Sequence, residues 1–223
     1  MDEYGTEEHR ADAYRTVDTP AGPARITFAR AERPSGVLAL GHGAGGGVEA
    51  RDLRALATAL PPLGLTVALV EQPWRVAGRR VAPAPKTLDA GWLPVAAELA
   101  AEGVPLLVGG RSAGARVACR TGRASGAAAV LALAFPLHPP GKPERSRAEE
   151  LTGAALPTLV LQGERDPFGR PAEFPELPEG AELVAVPGAD HGFAVPKRGP
   201  VTQQEALAVI TRTVADWALR HTG

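Results

Sequence analysis

Six short, mainly apolar runs recur along this sequence, at residues 37–40, 65–70, 105–108, 127–134, 157–161 and 182–186. Several are separated by stretches with helical spacing: residues 50–60 carry Leu53, Leu56, Ala57 and Leu60, and residues 201–220 carry Ala206, Val209, Ile210, Val214 and Trp217. Residues 87–101 and 113–123 read the same way. A run apolar at nearly every position, not at alternate ones, is a strand buried on both faces. Strands of that kind joined through helices make right-handed parallel crossovers. The pattern predicts an α/β fold: a doubly wound, mostly parallel sheet with helices on both sides. Two β-rich runs at 13–18 and 24–29 flank Thr19-Pro20-Ala21-Gly22-Pro23 and predict an antiparallel N-terminal hairpin. Residues 1–12 read as a flexible tail, residues 13–223 as one domain, and residues 71–86, rich in Pro and Arg, as a loop.

Composition narrows the partners. Formal charge is −1 and aromatic residues make up 4% of the 223, so neither a basic patch nor a base-stacking platform for nucleic acid is expected. No apolar run approaches the roughly 20 residues of a membrane span, and the acidic start Met1-Asp2-Glu3 is unlike a signal peptide. Cys119 stands alone, which excludes an internal disulfide and a thiolate zinc cluster and fits a reducing, cytoplasmic setting. Lysine is confined to Lys86, Lys142 and Lys197 while arginine is abundant, a bias of GC-rich bacterial coding.

In a doubly wound sheet, ligands sit beyond the carboxyl ends of the strands. After the 105–108 run comes Gly110-Arg111-Ser112-Ala113-Gly114, a G-x-S-x-G between a strand and a helix. A serine on such a sharp turn lifts its oxygen above the sheet edge, and the glycines admit the strained backbone. A glycine-rich turn with a capping serine is the plainer alternative. After 157–161 comes Gln162-Gly163-Glu164-Arg165-Asp166-Pro167, and after 182–186 comes Asp190-His191. Ser112, Asp166 and His191 thus follow one another at strand ends in the chain order nucleophile, acid, base. Glu164 competes for the acid's role. Asp190 does not, because neighbours on an extended loop seldom face each other.

The 37–40 run leads into Gly41-His42-Gly43-Ala44-Gly45-Gly46-Gly47. Amides of Gly43 and Ala44 are expected to join that of Ala113 in an oxyanion hole, where each donor is worth about 3–4 kcal/mol. Glycines 41, 43 and 46 also satisfy G-x-G-x-x-G, with Glu71 placed as a ribose acid, so dinucleotide binding is a competing reading. It leaves Ser112, Asp166 and His191 unexplained. His42 is expected to organise this loop, with a substrate contact as the alternative. Cys119 and Trp74, Trp92 and Trp217 are expected in the core or pocket wall.

Taken together, Gly41–Gly46, Gly78-Arg79-Arg80, Gly109–Gly114, Phe135–Arg145, Leu161–Gly169 and Asp190-His191 resemble the α/β-hydrolase superfamily near its dienelactone-hydrolase-like branch. More narrowly, the chain resembles the family that includes testis-expressed protein 30 and subunit 3 of the NSL complex, with bacterial members. The resemblance spans residues 25 to 220 and implies the α/β-hydrolase fold and a triad at Ser112, Asp166 and His191. Dienelactone hydrolases often carry a cysteine nucleophile; serine stands here, so that named activity does not transfer. Some relatives are complex subunits, which keeps a non-catalytic scaffold as an alternative.

The 135–145 segment is stiffened by prolines and is expected to wall the pocket, and the stretch to residue 156 is too short for a large cap domain. His138, Lys142, Arg79, Arg80 and Arg111 are candidate substrate contacts, against the plainer role of loop ties and surface charge. The leading expectation is a serine hydrolase of a small carboxylic ester or related acyl compound, needing no metal and no organic cofactor, and contacting neither membrane nor nucleic acid.

Overall fold

The computed structural model describes residues 14–222; the N-terminal tail expected at residues 1–12 lies outside them. The chain runs β1 (Tyr14–Thr19), β2 (Gly22–Ala29), β3 (Gly36–Gly41), α1 (Arg51–Ala59), β4 (Leu65–Glu71), α2 (Pro73–Val76), α3 (Pro85–Ala100) and β5 (Leu106–Arg111). It continues through α4 (Ala113–Thr121), β6 (Ala129–Leu133), α5 (Ala148–Thr152), β7 (Thr158–Gly163), β8 (Ala181–Val186) and α6 (Gln203–Arg220). The eight strands form one sheet in the order β1-β2-β4-β3-β5-β6-β7-β8. β1 and β2 pair antiparallel, β2 meets β4 antiparallel, and every other pairing is parallel. This is the doubly wound sheet with an antiparallel N-terminal hairpin that the sequence predicts, and among the described residues no cap domain covers it.

The side-chain alternation of the strands divides the interior. Val37, Val70, Leu106, Val108, Val130 and Val160 face one side, where Trp92, Val95 and Leu99 of α3 and Val117 and Ala118 of α4 close over them. Leu38, Leu40, Leu107, Leu131 and Leu159 face the other, under Leu53 and Leu56 of α1 and Ile210, Val214 and Trp217 of α6. Each of these large side chains contributes about 1.5–3 kcal/mol by leaving water. The chain order reverses between β3 and β5: β3 leads outward to β4, and β5 outward to β6. The crevice opened there receives the loops that follow Gly41 and Arg111.

Two boundaries differ from expectation for an identifiable reason. The segment 71–86 is not a loop throughout: it holds α2 and the start of α3, each opened by a proline at its first position. Proline there is pre-organised for a helix, not a breaker, because its missing N–H would have had no intrahelical partner. The run 127–134 is a strand only over Ala129–Leu133, since Ala134 turns out of it at φ 45°. The following segment contains α5, which packs Leu151 into the core.

Candidate active site

Ser112 occupies the turn between β5 and α4 at φ 53° and ψ −108°, a backbone state that costs a non-glycine residue about 1–3 kcal/mol. Packing holds it there. The Ser112 amide donates to the Leu133 carbonyl at 2.9 Å. A Cβ on Gly110 would sit 2.5 Å from the Gly41 carbonyl oxygen, as would one on Gly114. The end of β3, the turn and the first turn of α4 therefore meet backbone to backbone, and any side chain at these glycines would pry them apart.

His191 Nε2 lies 2.9 Å from Ser112 Oγ, and His191 Nδ1 lies 2.7 Å from Asp166 Oδ2. The three groups sit on the loops after β5, β7 and β8. Asp166 is wholly buried, whereas the His191 side chain is 20% exposed. A hydrogen-bond frame fixes the carboxylate: Oδ2 also accepts from Gln162 Nε2 at 2.9 Å, and Oδ1 accepts from the Phe168 amide at 2.8 Å. Gln162 further donates to the Gly169 carbonyl at 2.7 Å, so one buried amide ties the acid to the turn beyond it. The Phe168 ring stacks on His191, centroids 4.2 Å apart. The neighbouring acids serve the loops instead. Glu164 accepts from the Gly188 amide, and Asp190 Oδ1 accepts from the amides of Gly192 and Ala194.

Gly43 lies against the turn: a Cβ there would be 3.5 Å from Ser112 Cβ. Gly43 is buried and Ala44, the next residue, is exposed. The Ala113 amide belongs to the first turn of α4 and has no acceptor inside the helix. His42 is buried and both its ring nitrogens are occupied. Nδ1 lies 2.9 Å from the Gly43 carbonyl, and Nε2 accepts from the Gln72 amide at 3.1 Å. Burial, foremost, lowers its pKa below the usual histidine range. Both ring nitrogens of His42 are thus engaged with the Gly43 carbonyl and the Gln72 amide.

The other candidates lie apart from Ser112, His191 and Asp166. Arg111 turns beneath the site: Nη2 donates to the His191 carbonyl at 2.5 Å, and Nε lies 3.4 Å from the buried Asp52. Its Nη2 and Nε thus face groups of the protein itself. Arg79 and Arg80 are exposed on the loop after α2, and Arg79 lines a cavity of about 230 Å³ with Trp74, Pro83 and Thr87. His138 is buried, its Nδ1 2.9 Å from the Pro139 carbonyl and its Nε2 3.3 Å from Glu173. It borders a groove of about 460 Å³ that also reaches Asp166, while Lys142 is exposed on the neighbouring turn. Cys119 is buried and its thiol is pushed up to about 12 by burial, which leaves it unreactive. Glu71, the ribose acid of the dinucleotide reading, pairs with Arg25 at 3.5 Å. Among the described residues no group of three or more His, Cys, Asp or Glu is arranged to hold a metal ion, and no helix is long and apolar enough to cross a membrane.

A strained serine at a strand–helix turn, an imidazole on its hydroxyl and a buried carboxylate behind the imidazole can make an alkoxide-like nucleophile, given an electrophile in the crevice. Residues 34–219 match the model of the alpha/beta hydrolase domain, and the chain belongs to that family. Solved structures agree on the fold. A lidless α/β serine hydrolase from Xanthomonas campestris superposes at a TM-score of 0.71, with 22% identity over 92% of this chain and 94% of that one. An α/β serine hydrolase homologue from Coxiella burnetii gives 0.73, with 18% identity over 92% and 98%. A dienelactone hydrolase from Anabaena variabilis gives 0.71, with 16% identity over 94% and 97%. No curated protein matches the sequence.

Proposed function

We propose that this protein is a serine hydrolase that cleaves a small carboxylic ester or related acyl compound through an acyl-enzyme. The observation that carries the reading is the continuous contact from Ser112 Oγ through His191 to the buried Asp166. His191 takes the Ser112 proton as Oγ attacks the carbonyl carbon, and Asp166 steadies the resulting imidazolium. The amides of Ala113, Gly43 and Ala44 receive the negative charge that develops on the carbonyl oxygen. Collapse expels the alcohol, which takes the proton from His191. Water then attacks the acyl group, giving its proton to His191, and the second collapse returns Ser112 and releases the acid. The missing cap favours small or solvent-presented esters over long buried chains. The segment 135–145 supports a narrower kinship with the relatives of testis-expressed protein 30, and the single buried cysteine supports a cytoplasmic setting.

The test is active-site labelling. Intact protein is expected to react covalently with a fluorophosphonate at Ser112 and to hydrolyse p-nitrophenyl acetate. Ser112→Ala is expected to lose labelling entirely and to lower kcat by several orders of magnitude. A folded wild-type protein that neither labels nor turns over short esters would overturn the reading and leave a scaffold of the same fold.

A further inference from the structure

We propose that Arg111, braced by Asp52, is a positioning residue that sets the height of His191 over the nucleophile; this rests on the serine-hydrolase reading above. The residue before the nucleophile is the last of β5, on the strand face of Leu107, so its side chain leaves the sheet on the side of α1 and α6. Three separate pieces of chain meet it there. Nη2 donates to the carbonyl of His191 itself, 80 residues away in sequence. Nη1 lies close to Gly43, since a Cβ added at Gly43 would come within 3.3 Å of it. Nε faces Asp52, in the first turn of α1, at 3.4 Å. One planar group thereby touches the base's backbone, the loop of the expected oxyanion donors and a fixed helix, while its own Cα adjoins Ser112.

The surroundings show what the pair is for. Asp52 is wholly buried, and neither of its oxygens completes a side-chain hydrogen bond among the described residues. Arg111 is 15% exposed at its side chain. A buried pair with loose geometry is a poor source of stability, because the loss of hydration rivals the attraction. A chain that needed only packing would fill this space with apolar side chains. The arrangement instead supplies a rigid fork of donors backed by the Asp52 carboxyl group on α1. On the loop after β8 it donates to the peptide oxygen of the candidate base.

Arg111→Lys and the double variant Asp52→Leu with Arg111→Met test this. The lysine keeps a cation beside Asp52 and loses the fork; the double variant removes both charges at similar volume, a change that buried pairs often tolerate. Both are expected to melt within a few degrees of wild type and to label with fluorophosphonate about 10–100-fold more slowly, the usual penalty for a displacement near 1 Å. With p-nitrophenyl acetate, kcat is expected to fall while KM stays within about twofold. The ring signals of ¹⁵N-labelled His191 are expected to move in both. A folded variant that labels within twofold of wild type with unmoved His191 signals overturns the inference. If wild type itself fails to label, the hydrolase reading falls; moved His191 signals in the lysine variant would still establish the positioning role, and unmoved ones would refute it.

Discussion

Two groups of arginine and carboxylate flank the helix that follows Ser112, and they are built in opposite ways. On the α3 side, Arg120 forks onto Asp89 at 2.6 and 3.0 Å, and Arg116 and Arg120 both clasp Glu150 at 2.5 to 2.8 Å. These contacts are short, paired and roughly a fifth exposed, and they join α3, α4 and α5. On the α1 side, Arg111 meets a fully buried Asp52 at 3.4 Å without hydrogen-bond geometry, and spends its best donor on the His191 carbonyl. The first group is saturated and makes its contacts with α3, α4 and α5, none of them with Ser112 or His191. The second is under-satisfied and adjoins them. Where charge serves stability it is fully paired and partly wet; where it serves the site, pairing is given up for the direction of one donor.

That contrast predicts a separation of effects between carboxylates. Asp166→Asn keeps the shape of a wholly buried side chain but cannot both hold Gln162 and fix the His191 tautomer. It is expected to lower kcat by about 10⁴-fold with little change in melting temperature. A loss of less than tenfold, measured beside an intact melt, would remove Asp166 from the proposed mechanism. Glu150→Ala should do the reverse. Burial raises the Glu150 pKa, but Arg116 and Arg120 more than reverse this and hold the group below the usual carboxylate range. Its stabilisation is therefore complete above the unfolded value near 4.3 and is lost as pH falls through the lower folded value. Glu150→Ala is expected to cost about 1–2 kcal/mol by urea unfolding at pH 7, since the group is partly screened, and to leave kcat unchanged. A large loss of activity at unchanged stability would break the comparison.

What the sequence makes legible is what chemistry forces into a local pattern. The strand-end positions of Ser112, Asp166 and His191 can be read because each motif is local and parallel strands bring their carboxyl ends together. Gln162 carries a signal that is readable in principle: it is a polar side chain closing the otherwise apolar Leu159–Leu161 run, and a buried amide must find partners. Arg111 is harder. Beside the turn serine an arginine reads as a candidate substrate contact, and only the packing of α1, nearly sixty residues earlier, shows that it faces a buried carboxyl group. Phe168 is likewise ordinary in a loop until the chain folds it over His191. The helix α2 is missed because proline reads as a breaker unless its position in the helix is known.

The smallest expected effect concerns His42, whose ring ties the loop of the proposed oxyanion amides to Gln72. Its ring must be neutral to accept from the Gln72 amide at Nε2 while Nδ1–H donates to the Gly43 carbonyl. A second proton would turn Nε2 from acceptor to donor and set it against an N–H. Since burial lowers the folded pKa, the unfolded chain binds more protons than the folded one between that depressed value and about 6.5. Stability contributed by neutral His42 is accordingly full above that window and falls as pH is lowered through it. His221 is also lowered, by burial first and then by Arg220, so it tilts the same window in the same direction. His42→Gln is expected to flatten the loss of melting temperature between pH 7 and 5.5 by more than His221→Gln does. It should also weaken fluorophosphonate labelling several-fold, because the Gly43 carbonyl loses its anchor while Ser112, His191 and Asp166 stay in place. If His42→Gln retains the wild-type slope, the acid sensitivity belongs to other groups, and the loop over the nucleophile is held by its glycine packing against Gly110 and Gly114 alone.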